Sequence, residues 1–109
     1  MDLDLLDRAV ARRRHEWEGA GALVEIVRNY TKPATYLLRA ESPERAVELL
    51  VWVSGAADLT YAELFPRVTD PRSDYYDLAT PADLEGCLDD FEVHLGIRPG
   101  APPHPPPHP

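Results

Sequence analysis

Cysteine is nearly missing from this sequence: Cys87 stands alone among 109 residues. One thiol makes no internal disulfide, and without a cluster of other ligands it makes a poor metal site, so a disulfide scaffold and a zinc module are both excluded. Positive charge is scarce too. Against 19 Asp and Glu there are 11 Lys and Arg, a net charge of −8, and a surface that acidic repels nucleic acid and anionic lipid. The expected partner is a basic protein, with no nucleic acid and no membrane. No apolar run is long enough to cross a bilayer, and Met1-Asp2-Leu3-Asp4 carries acids where a signal peptide needs a cation, which points to the cytoplasm. Gly-rich phosphate loops following a strand are also missing, and no cofactor is expected.

What the chain has in excess is proline, unevenly spread. Seven of its 12 prolines fall in the last eleven residues, leaving about 98 residues for one domain, too few for two independent cores. The reading is a single domain over residues 1–96 and a disordered Pro/His tail over 97–109. His104 and His108 in that tail are four apart, a spacing that aligns ligands on an α-helix but not on a polyproline helix with three residues per turn. No metal site is expected there.

From Asp2 to Glu18, Leu3, Leu6, Val10 and Trp17 recur at helical steps, with Asp2, Asp4 and Asp7 early and Arg12, Arg13 and Arg14 later. That is a helix with one buried stripe and the charge order its dipole favours, ended by Gly19-Ala20-Gly21. Ala22–Asn29 and Ala34–Glu41 read as strands. Ala46–Val53 and Ala57–Leu64 then form a hairpin about Ser54-Gly55. A three-residue loop, Val53 to Gly55 with Gly55 at positive φ, sets Val47, Leu49 and Val51 beside Tyr61, Leu59 and Ala57, one uniformly apolar face. The other face then holds Glu48, Leu50, Trp52, Asp58 and Thr60. In the alternative register of a two-residue turn, Trp52 would be core. Phe65–Asp74 reads as an exposed connection and Tyr75–Ala79 as a short fifth strand. Thr80-Pro81-Ala82-Asp83 is a helix start with its cap, Leu84, Leu88, Phe91 and Leu95 follow at helical spacing, and Gly96 caps the end. The expected fold is α+β: an antiparallel meander of about five strands with the N-terminal and C-terminal helices packed on one face.

Chemistry finds little purchase here. Cys87 lies on the seam between Leu84 and Leu88, where a small core residue is the simpler reading than a nucleophile. His15 and His94 have no spacing that links them to a base or a metal, and no catalytic residue is assigned. The informative feature is a local acidic stretch. Between Asp70 and Glu92 eight acids meet one base, Arg72, carrying −7 of the total −8. Asp89, Asp90 and Glu92 fall toward the negative end of the last helix, where they cost stability. They are either a solvated face or a surface kept for a basic partner. With the aromatic centre and polar rim around Trp52, the candidate partner-binding residues are Glu48, Leu50, Trp52, Asp58, Asp70, Asp74, Asp77, Asp89 and Asp90.

The segments VELLVWVSGAADLTYAEL and SDYYDLATPADLEGCLDDF resemble the TriTu immunity proteins of bacterial polymorphic toxin systems. The likeness rests on Trp52 two residues before the Ser54-Gly55 turn, on Asp58 in the returning strand, on Tyr75-Tyr76, and on the capped helix from Thr80 to Phe91. It spans roughly Ala34 to Leu95. The resemblance implies a cytoplasmic antidote that binds and blocks a cognate toxin domain and has no catalysis of its own; a basic nuclease is the toxin that an acidic surface would suit. It would act as a monomer or weak dimer. A small chaperone-like or adaptor domain, dimerising or holding a client segment through its open sheet face, is the competing expectation.

Overall fold

The computed structural model describes residues 1–99, and the proline-rich residues 100–109 of the expected tail lie outside the described residues. Helix α1 spans Leu3–Gly19, strands β1 to β5 span Leu23–Asn29, Thr35–Glu41, Arg45–Trp52, Ala56–Glu63 and Arg72–Asp77, and helix α2 spans Pro81–Leu95. The strands pair antiparallel in chain order. This is the meander, and both helices cover the same face of it. α1 lies over β1 and β2, and α2 over β3 and β4.

The hairpin register is the one that the apolar pattern requires. Val47, Leu49 and Val51 sit opposite Tyr61, Leu59 and Ala57, and all but the half-buried Tyr61, with Tyr36, Leu38 and Ala40, bury their side chains beneath the helices. Gly55 holds φ +97, and a Cβ there would stand 2.9 Å from the Leu78 carbonyl oxygen. The turn therefore needs glycine twice over, for its backbone and for the close approach of the chain leaving β5.

Both helices begin on side-chain caps. The Asp2 carboxylate accepts from the amides of Asp4 and Leu5, and Thr80 and Asp83 form a reciprocal capping box behind Pro81, with Gly96 closing α2 at φ 85. Between the helices, the fully buried Trp17 meets Phe91 with ring centroids 4.9 Å apart.

Apart from shifts of one residue at other element ends, two boundaries differ from the sequence reading. β5 begins at Arg72, inside the stretch expected to be a connection, and ends at Asp77. An edge strand needs only one neighbour, and here Ser73 pairs with Thr60, their hydroxyls 2.9 Å apart, so a polar sequence suffices. The folded part also runs past Gly96: Ile97 packs on the core and Arg98 reaches the Asp89 carboxylate at 2.6 Å.

Candidate functional site

Strand alternation sorts the sheet into two unlike faces. The inner one carries Val24, Ile26, Leu38, Leu49 and Leu59 under the helices. On the outer face, which neither helix covers, the register puts Val27, Leu37, Leu50, Asp58 and Tyr75 in one row across all five strands. The next row toward the turn runs Asn29, Thr35 and Trp52, and continues through Ala56 to Asp77. Trp52 is half-buried and stands outside the core; Tyr75 is 70% exposed. A row on the other side holds Glu25, Arg39, Glu48, Thr60 and Ser73, where Arg39 reaches both Glu25 (3.5 Å) and Glu48 (3.6 Å). Beyond it the small Ala46 and Ala62 leave a groove of about 340 Å³ bordered by Glu41 and Pro71.

The nine candidate residues therefore do not form one surface. Glu48, Leu50, Trp52, Asp58 and Asp77 share the outer face. Asp70 is exposed in the connection before β5. Asp74 is on the inner side of its strand, 3.8 Å from His94 Nε2. Asp90 accepts from the Tyr76 hydroxyl at 2.6 Å, and Asp89 is held by Arg13 and Arg98 at 2.9 and 2.6 Å.

The expectation that Asp89, Asp90 and Glu92 burden the end of α2 is corrected by these partners. Glu92 is only 5% exposed, and its carboxylate accepts from the Trp17 indole at 2.8 Å and from Arg13 at 3.2 Å. Glu85 joins the same arginine and also pairs with Arg12. Residues 85, 89 and 92 fall on one stripe of the helix, and the α1 arginines lie against that stripe. Three acids of the stretch, Glu85, Asp89 and Glu92, thus close the interface between the helices.

The reactive side chains are placed as follows. Cys87 is buried, and burial, with a smaller contribution from Asp90, pushes its thiol up to about 12, which keeps it protonated and unreactive at neutral pH. His94 stacks on Tyr61 with ring centroids 3.6 Å apart, beside a cavity of about 280 Å³ that Arg45, Thr69 and Arg72 also line. Among the described residues no group of three or more His, Cys, Asp or Glu is arranged to hold a metal ion. Nor, among the described residues, is any helix long and apolar enough to cross a membrane.

Two phenols tie the layers together. Tyr36 donates to Asp7 at 2.7 Å and Tyr76 to Asp90 at 2.6 Å, joining β2 to α1 and β5 to α2. Burial first, and the neighbouring carboxylate second, hold both phenols above the ordinary 10.0. The folded protein keeps these protons where the unfolded chain releases them, so the stabilisation is full below about pH 10 and drains away as pH rises through the folded values. Urea midpoints measured between about pH 8 and pH 11 should fall steeply for the wild type and less for Tyr76→Phe. Parallel curves would show that the phenol is solvated.

What sequence reasoning missed on the outer face is Val27, Leu37 and Tyr75. The alternation of β1 and β2 was available as a signal, but it needed the inter-strand register to join these side chains to Leu50. Comparison of the chain with family models, characterised proteins and solved structures finds no match.

Proposed function

We propose that this protein is an immunity protein: it binds a cognate bacterial toxin domain and neutralises it by covering it with the outer face of the sheet. The observation that carries this reading is the uncovered row Val27, Leu37, Leu50, Asp58 and Tyr75, apolar but for Asp58 and with Trp52 beside it, on a sheet whose opposite face already has its helices. Five strands of about seven residues make a surface roughly 24 Å by 23 Å. Before side-chain relief is counted, that is somewhat over about 500 Å², within reach of the ~800 Å² per partner of a stable interface. The likeness of the hairpin and last helix to the TriTu immunity proteins supports the same reading.

The charge of the face argues for a foreign partner over a second copy. Its outward residues include Glu25, Glu41, Glu48, Asp58 and Asp77 against the single cation Arg39, so self-association would press like charges together.

The test is co-expression with the C-terminal domain of the product encoded immediately upstream, in a bacterial host that this domain kills. Restored growth and co-purification of the two chains are expected. Continued killing with the antidote present and soluble would reject the reading.

A further inference from the structure

Within the outer face, one short stretch has the chemistry of a socket for a single side chain. Ala56 and Asp58 form its floor on β4. Leu50 of β3 and Tyr75 of β5 are the direct cross-strand neighbours of Asp58, and Asp77 is that of Ala56. Trp52, one step past Leu50 on the same face, stands across from Ala56 as the register continues toward the turn. Direct neighbours in such a sheet have Cβ atoms about 4.5–5.5 Å apart. Asp58 thus lies between Leu50 and Tyr75, and Asp77 at the sheet edge beside Ala56, a residue too small to fill the space between it and Trp52.

The charges of this stretch differ from those of the row beyond it. Glu25 and Glu48 share Arg39, whereas among the described residues neither Asp58 nor Asp77 has an ion-pair partner. A carboxylate in the middle of an apolar row gains nothing for the isolated fold, and when a partner covers the row it would lose its water. A cation brought by that partner offsets the loss most fully, and the nearby rings of Trp52 and Tyr75 favour the same occupant.

We propose that this socket takes one lysine or arginine side chain from an otherwise apolar segment of the toxin, its charged end between Asp58 and Asp77 and its stem between Trp52 and Tyr75. The inference rests on the immunity reading for the identity of the partner, but not for the chemistry of the socket.

The test uses a defined probe, so that it does not depend on the toxin. A blocked Leu-Arg-Val tripeptide is titrated into the full chain and followed by amide NMR shifts and Trp52 indole resonances, with the citrulline tripeptide as the uncharged control. The arginine peptide should saturate in the millimolar range, as befits one anchoring contact, and move Ala56, Asp58, Tyr75, Asp77 and the Trp52 indole. Affinity should fall at least about tenfold with citrulline and with Asp58→Asn, and should survive Glu41→Gln at the far end of the face. Equal shifts with both peptides, shifts centred on Glu25 and Glu48, or a dimer sealed through Trp52 that shuts the probe out would each overturn the socket. Growth rescue reports separately on immunity: rescue by Asp58→Asn undiminished from wild type would keep the function and discard the anchor.

Discussion

Replacing Arg13 by methionine is expected to lower the unfolding free energy by about 2–3 kcal/mol, a large share of what holds a domain of this size together. The reason is Glu92. Its carboxylate is removed from water between α1 and α2, and Arg13 and the Trp17 indole are its close donors, with Arg98 farther off at 3.5 Å. Breaking a buried pair by deleting one partner costs more than the pair itself contributes, because the remaining charge stays desolvated. Arg13 keeps 18% of its side chain in solvent, which places the expected loss below the about 3–5 kcal/mol of fully buried breaks.

The companion variant separates charge from packing. Glu92→Gln removes the charge while its amide oxygen can still accept from Trp17, so Arg13→Met with Glu92→Gln should recover more than half of the single variant's loss. Urea unfolding followed by circular dichroism and tryptophan fluorescence gives all three numbers. An Arg13→Met protein within about 0.5 kcal/mol of wild type would show that the contact between the helices is solvated and worth no more than a surface pair.

That ion cluster also marks where sequence reading stops. The hairpin was legible because its pleat is a yes-or-no device: a loop from Val53 to Gly55 brings Val47, Leu49 and Val51 opposite Tyr61, Leu59 and Ala57, and a slip of one residue would turn one set outward. The ends of α2 were legible for a similar reason, since Thr80, Pro81, Asp83 and Gly96 each satisfy a need that few other residues can. The acids of the same helix were not. Glu85, Asp89 and Glu92 looked like a surface because the arginines that tie them to α1, Arg12 and Arg13, lie more than 70 residues earlier in the chain. Local sequence carries the charge of a stripe but not what faces it. Likewise the acids of β5 were read as one group, although alternation turns Asp74 inward to His94 and leaves Asp77 outward beside Ala56. That division depends on where an edge strand begins, and Arg72 and Ser73 give no apolar signal for it.

Under the proposed immunity function, Trp52→Ala is expected to weaken capture of the toxin domain by at least about thirtyfold, corresponding to roughly 2 kcal/mol, while the protein itself stays folded. The two halves of this expectation have separate grounds. Trp52 is half-buried and lies on the face that the helices leave open, so its loss opens no cavity in the core. On the outer face it is the largest side chain, next to Thr35 on one side and Ala56 on the other, and a large aromatic among small neighbours is the usual anchor of an interface. An acidic residue changed outside that face should behave differently. Asp70→Asn removes an exposed charge from the connection before β5, and its effect should reside in the association rate and fade as salt rises. Trp52→Ala should act on the dissociation rate and persist at high salt. Surface plasmon resonance of both variants at low and high ionic strength separates the two. A Trp52→Ala protein that holds the toxin as long as wild type would move the interface off the sheet, and a loss that salt abolishes would show that charge, not the apolar row, does the holding.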